Sequence, residues 1–121
     1  MMYQFPDHFL WGASTSAFQV EGGYDEGGRG LATTDVQKTP AGQADTKTAA
    51  DHYHHWREDV SLMAELGLKT YRMSFSWSRI MPDETLAPNP EGLAFYDQLI
   101  DALLENGIEP YITLYHWELP Y

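Results

Sequence analysis

Three short groups of residues carry side chains able to do chemistry. Gln19 and Glu21 stand between Phe18 and the pair Gly22-Gly23, where an apolar run gives way to a turn. A single carboxamide supplies an acceptor and two donors, so Gln19 is suited to bridging neighbouring hydroxyls on a sugar ring. His116, Trp117 and Glu118 form the second group. An imidazole bonds a hydroxyl and an indole covers an apolar ring face, so this pair also suits a sugar; a core aromatic pair with its histidine bonded to backbone is the alternative. Arg72 is the third, on a strand face otherwise occupied by Ser74 and Ser76. Turned inward it needs an anionic partner, since an unpaired interior charge costs several kcal/mol, and any buried Asp or Glu could serve. On chemistry alone a catalytic role for Glu21 or Glu118 stays open.

Two other patterns read as structure. His52 and His55 lie three apart with Asp59 a turn further on, which is conceivable as a metal clip. Because His52, His54 and His55 point in different directions around a helix and lack zinc-protease spacing, a solvated or hydrogen-bonded cluster is expected and no metal is predicted. The run Asp25-Glu-Gly-Gly-Arg-Gly30 lacks the spacing and the Lys-Ser/Thr of a phosphate-binding loop, so it reads as a loop, and no cofactor is expected.

These residues need elements to hold them. Phe9 to Val20 reads as a first strand, mostly small and apolar and therefore buried on both faces, as parallel strands are. Gly22 to about Thr48 reads as a long loop of the kind that walls a site. Ala49 to Leu66 has helix spacing through Tyr53, Trp56, Val60, Met63 and Ala64, with Leu62 and Leu66 beside them and Gly67 as its stop. Lys69 to Trp77 alternates large and polar residues as a second strand, with Tyr71, Met73, Phe75 and Trp77 towards the helices and Arg72 inward. A second helix follows Asn89 and Pro90, with a stripe of Leu93, Tyr96, Leu99, Ile100, Leu103 and Leu104 and a close at Asn106-Gly107. Glu109 to Trp117 gives a third strand, with Pro110 at its start. Three strands alternating with two helices imply parallel pairing through right-handed crossovers.

Composition bounds the partners. Lys and Arg total 7 against 18 Asp and Glu, a formal charge of −11, which disfavours nucleic acid and anionic membrane surfaces. There is no cysteine, excluding disulfide and thiol chemistry. The start, Met1-Met-Tyr-Gln-Phe-Pro-Asp-His8, has neither a basic region nor an apolar run of signal length, so a soluble cytoplasmic protein is expected. The chain is 121 residues long, whereas a parallel eight-stranded barrel needs about 250.

The stretch Phe9-Leu-Trp-Gly-Ala-Ser-Thr-Ser-Ala-Phe-Gln-Val-Glu-Gly-Gly23 resembles the N-terminal signature of glycoside hydrolase family 1, the β-glucosidases and 6-phospho-β-glucosidases. Tyr71-Arg-Met-Ser-Phe-Ser-Trp-Ser-Arg-Ile80 and Thr113-Leu-Tyr-His-Trp-Glu-Leu-Pro120 resemble the same family's second and third strand motifs, in the same order. The resemblance implies that residues 1–121 form a single incomplete α/β domain, the first three strands and two helices of a (β/α)8 TIM barrel. The remainder of the barrel would then be its structural partner. It further implies a retaining β-glycosidase acting on a β-glucoside or 6-phospho-β-glucoside, with Gln19, His116 and Trp117 on the glycone and Arg72 beside the nucleophilic carboxylate. Asp35-Val36 leans mildly towards the phosphorylated class and His116-Trp117 away from it. Where the family usually has Asp, this chain has Glu118. The motifs bearing the two catalytic glutamates, roughly Thr-x-Asn-Glu-Pro and Thr-Glu-Asn-Gly, do not occur in these residues. The 121 residues alone are therefore expected to be inactive, and an inert or merely sugar-binding fragment is the rival reading.

Overall fold

The computed structural model describes residues 2–121. In chain order it contains β1 (Gly12–Ser14), the single helical turns α1 (Ala17–Val20) and α2 (Thr33–Val36), and the helix α3 (His52–Glu65). After these come β2 (Thr70–Ser74), the turn α4 (Trp77–Ile80), the helix α5 (Pro90–Glu105) and β3 (Glu109–Thr113). The strands pair in parallel in the order β1-β2-β3, with Ala13 opposite Tyr71 and Tyr71 opposite Pro110. Parallel neighbours require crossovers, and α3 and α5 provide them.

The helix boundaries follow local chemistry. At the start of α5 the Asn89 side chain accepts a hydrogen bond from the Glu91 amide at 3.3 Å, and Pro90 has no amide hydrogen to leave unpaired. Gly67 and Gly107 end α3 and α5 with φ of +79° and +69°, the left-handed conformation that glycine adopts without penalty.

The core lies between the helices and one face of the sheet. Trp56 and Val60 of α3, Tyr71 and Met73 of β2, and Phe95, Tyr96, Leu99 and Leu103 of α5 are buried there with Ile108. Because side chains alternate along a strand, Arg72 is directed to the opposite face, and it is exposed. The helical stripes are narrower than the sequence suggests. Leu62, Leu66, Leu93 and Leu104 flank the buried arc and stay exposed, while Phe95, absent from the expected stripe, lies within it one turn before Leu99.

All three strands are shorter than expected. Past Ser14 the chain makes one more ladder bond, Thr15 amide to Arg72 carbonyl at 2.9 Å, and then turns into α1, where the Ala17 amide donates to Ser74 Oγ at 2.8 Å. Residues 17–20 are thus helical. Nor is β1 buried on both faces: Gly12 to Ser14 are exposed, because β1 has a single neighbour, β2. The small residues still serve close approach, since a Cβ on Gly12 would lie 2.2 Å from the Thr70 carbonyl oxygen. In β2 the strand stops at Ser74, and Trp77 opens α4. In β3 it stops at Thr113, leaving residues 114–117 outside the sheet. The expected 22–48 loop is irregular apart from α2. No helix among the described residues is long and apolar enough to cross a membrane.

Candidate functional site

Parallel pairing brings the carboxyl ends of all three strands to one edge of the sheet, and the short segments after them carry the polar residues. Two backbone-anchored bonds tie these segments together: Ala17 amide to Ser74 Oγ at 2.8 Å and Phe75 amide to Thr113 carbonyl at 3.1 Å. Gln19 sits in α1, exposed, and its Oε1 accepts from Ser16 Oγ at 2.7 Å. That bond engages the carbonyl end of the amide and not its two N–H donors.

His116 and Trp117 follow β3. Their rings stack at 4.5 Å between centroids with a 46° tilt, His116 half-buried and Trp117 68% exposed. Trp117 has φ of +59°, a left-handed conformation rarely adopted by a bulky residue. An exposed indole held in a strained turn beside an imidazole offers an apolar face and a hydrogen-bonding edge together. No hydrogen bond joins Gln19 to either ring among the described residues; what the three share is the edge of the sheet from which they project.

Arg72 lies on the face that the strand alternation predicts. It is exposed on the sheet face away from the helices, and its Nε donates to Thr113 Oγ1 at 3.2 Å. A fully enclosed guanidinium is that of Arg79 of α4. Its Nε bonds Glu21 at 3.2 Å, and its other nitrogens reach the carbonyls of Gly22, Gly23 and Glu26 at 3.2, 3.3 and 3.4 Å. It also lies over the Tyr53 ring, 4.2 Å from the centroid. Glu21 accepts from the Tyr96 hydroxyl as well, whose own proton is held well above the usual tyrosine range by burial and by the charge of Glu21. Glu21 is thereby committed to this knot, leaving Gln19 alone of that pair at the surface.

A second buried pair braces the loop. Arg29 meets Asp35 at 2.6 Å, and Asp35 also accepts from the Ala32 amide at 2.7 Å. These partners account for Asp35 without a phosphate. The Gly-rich run is likewise filled by protein: the Asn89 side-chain amide donates to the Gly27 carbonyl at 2.7 Å, and a Cβ on Gly30 would lie 1.9 Å from the Pro82 carbonyl oxygen. The histidines are bonded as a cluster would be, His52 to Asp59 at 2.6 Å and His54 to both Asp51 and Glu26 at 2.6 and 2.9 Å.

The sequence profile described as Glycosyl hydrolase family 1 matches residues 1–121. The chain belongs to that family. Among its relatives is the aryl-phospho-beta-D-glucosidase BglC of Bacillus subtilis, 52% identical over 120 residues that cover 96% of this chain and 25% of that protein. Beta-glucosidase A of Acetivibrio thermocellus is 51% identical over 120 residues, again 96% of this chain and 27% of that one. The crystal structure of the psychrophilic beta-glucosidase BglU from Micrococcus antarcticus superposes with a TM-score of 0.90 at 48% identity, covering 98% of this chain and 26% of that one. The chain thus spans about a quarter of the length of the relatives it matches. Its fold is the N-terminal βαβαβ part of the family's (β/α)8 barrel, which places the strand-end edge where such barrels carry their sites.

Sequence reasoning missed Arg79 and the Arg29–Asp35 pair. No local spacing signals the first, whose partner Glu21 stands 58 residues away.

Proposed function

We propose that residues 1–121 form one incomplete domain of a retaining β-glycosidase that hydrolyses β-glucosides, and that they supply glycone recognition without either catalytic glutamate. The observation that carries this reading is the projection of Gln19, His116 and Trp117 from the carboxyl edge of a parallel sheet, in a chain of glycosyl hydrolase family 1. Gln19 and His116 pair with ring hydroxyls, and Trp117 covers the apolar face of the sugar. In such an enzyme one glutamic acid protonates the glycosidic oxygen while a glutamate about 5 Å away attacks the anomeric carbon. Arg72, exposed on the face away from the helices, is free to keep that nucleophile ionised once the remaining strands bring it alongside. A cytoplasmic location belongs to the same reading. A 6-phospho-β-glucoside is the second substrate class, favoured by the likeness to BglC.

The test is kinetic, in the full-length enzyme that contains this chain. As the ring flattens towards an oxocarbenium ion its hydroxyls shift, so bonds to them strengthen in the transition state. Gln19→Ala and His116→Ala are each expected to lose about 2–4 kcal/mol in kcat/KM, on the order of 30- to 1000-fold, with folding unchanged. Monodeoxy glucosides identify the partner: the deleted hydroxyl matters far less in the variant that lost its contact. Equal sensitivity of parent and variants to every deoxy substrate would reduce these residues to packing. Comparison of a nitrophenyl β-glucoside with its 6-phosphate decides the substrate class.

A further inference from the structure

Glu118 lies immediately after the His116–Trp117 pair and is 0% exposed, yet neither carboxyl oxygen has a hydrogen-bond partner. Its enclosure is complete within these residues, so it does not wait on distant parts of a barrel for cover. On either side the chain is constrained. Before it stands the left-handed Trp117; after it the segment is strapped to the loop by Thr33 amide to Leu119 carbonyl and Tyr121 amide to Leu31 carbonyl, both 2.8 Å, and by an antiparallel bridge between Ala32 and Pro120. The strap is itself stiffened by Asp35, which holds the Ala32 amide and Arg29. A strained turn persists only where its surroundings over-determine it, and the enclosed Glu118 stands in the chain between the turn and the strap.

We propose that Glu118 is a positioning residue for sugar binding: its enclosed carboxyl clamps the segment after β3 so that His116 and Trp117 keep their sugar-facing turn. The proposal rests on reading those two rings as glycone contacts. The charged and titratable groups facing Glu118 are Glu21 behind α1, answered by Arg79 and the Tyr96 hydroxyl of α5, and Arg29 and Asp35 of the loop. Burial pushes the Glu118 carboxyl up to about 7, with Glu21 and Asp35 adding to the rise and its own amide and Arg29 opposing it. Below that value a neutral acid fills the clamp. Above it the proton goes to solvent, and the carboxylate left behind has no side-chain donor within hydrogen-bond distance: it either leaves the enclosure or draws Arg29 from Asp35. Both movements shift residues 117–121 against 31–35 and release the turn. Sugar affinity is therefore tied to pH through a residue that does not touch sugar.

The experiment measures glucose binding to the full-length enzyme by calorimetry across neutral pH. In the parent the Kd for glucose rises on the order of tenfold as pH passes through the Glu118 value, a change equal to one pKa unit of coupling. Glu118→Gln, neutral and nearly isosteric, keeps the tight low-pH affinity at every pH. Glu118→Asp serves where the amide disturbs folding: the shorter acid fills the clamp poorly, so affinity is weaker at low pH and the limb moves. A parent profile that survives unchanged in Glu118→Gln, or an unshifted limb with unweakened binding in Glu118→Asp, overturns the clamp while leaving the glycone reading intact. His116→Ala separates the two: glucose binding unaffected by that change would overturn the glycone reading itself.

Discussion

Two buried carboxyls stand at the same edge of this sheet, and they have opposite fates. Glu21, after β1, is 4% exposed and answered by the Arg79 guanidinium and the Tyr96 hydroxyl. Glu118, after β3, is wholly enclosed and has no side-chain partner within hydrogen-bond distance. With a partner on each carboxyl oxygen, Glu21 works as a rivet, joining α1, α4 and α5 beneath the strand ends. Without a side-chain donor an equally buried acid has its proton affinity raised to about 7, and its protonation becomes a variable. Rigidity on the β1 side and adjustability on the β3 side are thus set by partners and not by depth.

The comparison breaks most visibly at Arg79. Removing one member of a buried, hydrogen-bonded ion pair leaves an uncompensated charge, so Arg79→Met in the full-length protein is expected to cost about 3–5 kcal/mol in denaturant unfolding. Adding Glu21→Gln to that variant recovers part of the loss, because the orphaned charge is gone. A cost below about 1 kcal/mol would show that the knot carries little and that the two acids are alike.

Glu118 predicts a smaller effect with a distinct pH signature. Its folded-state value of about 7 lies above the ordinary 4.5, so between these the folded protein holds the proton that the unfolded chain has lost. Stability attributable to this group is complete below the ordinary value and declines as pH rises to the folded one. Glu118→Gln is expected to match the parent in melting temperature at low pH and to exceed it by several degrees above neutrality. Glu21→Gln destabilises at both ends of that range. Parallel melting curves for parent and Glu118→Gln across it would place Glu118 with Glu21 as a fixed group.

Much of this could be read in the sequence, for identifiable reasons. Asn89 and Pro90 begin α5 and Gly107 ends it because capping chemistry is local. The alternation of Tyr71 and Met73 with Arg72 placed the sheet's two faces correctly, since period two survives any tertiary context. Strand ends were misjudged because residues such as Ala17 and Phe18, apolar and strand-like in type, are turned into a helix by a bond from the Ala17 amide to Ser74, far along the chain. The pairing of Glu21 with Arg79 was illegible for the same reason: it depends on how α4 folds over the sheet edge, 58 residues from Glu21. The orphan state of Glu118 is a matter of enclosure, which no spacing encodes.

A third acidic setting, at the surface, sharpens the comparison with the smallest effect. His54 bridges Asp51, at the start of α3, and Glu26 of the loop, with Nδ1 2.6 Å from one and Nε2 2.9 Å from the other. The bond to Asp51, then that to Glu26, raises its proton affinity above the ordinary 6.5. A histidine raised on folding stabilises fully below its unfolded value, and that contribution is lost as pH climbs through the folded one. Solvent reaches all three side chains, so screening keeps the latch within the range of about 0.2–1 kcal/mol typical of exposed pairs. His54→Ala should therefore lower the melting temperature slightly under mildly acidic conditions, not at all in alkaline buffer, and less as salt is added. A loss that persisted in alkaline buffer or ignored salt would mean that His54 packs the loop instead of pairing with it. Partnered charge would then matter among these pairs only where water is excluded, as at Glu21 with Arg79 and Arg29 with Asp35.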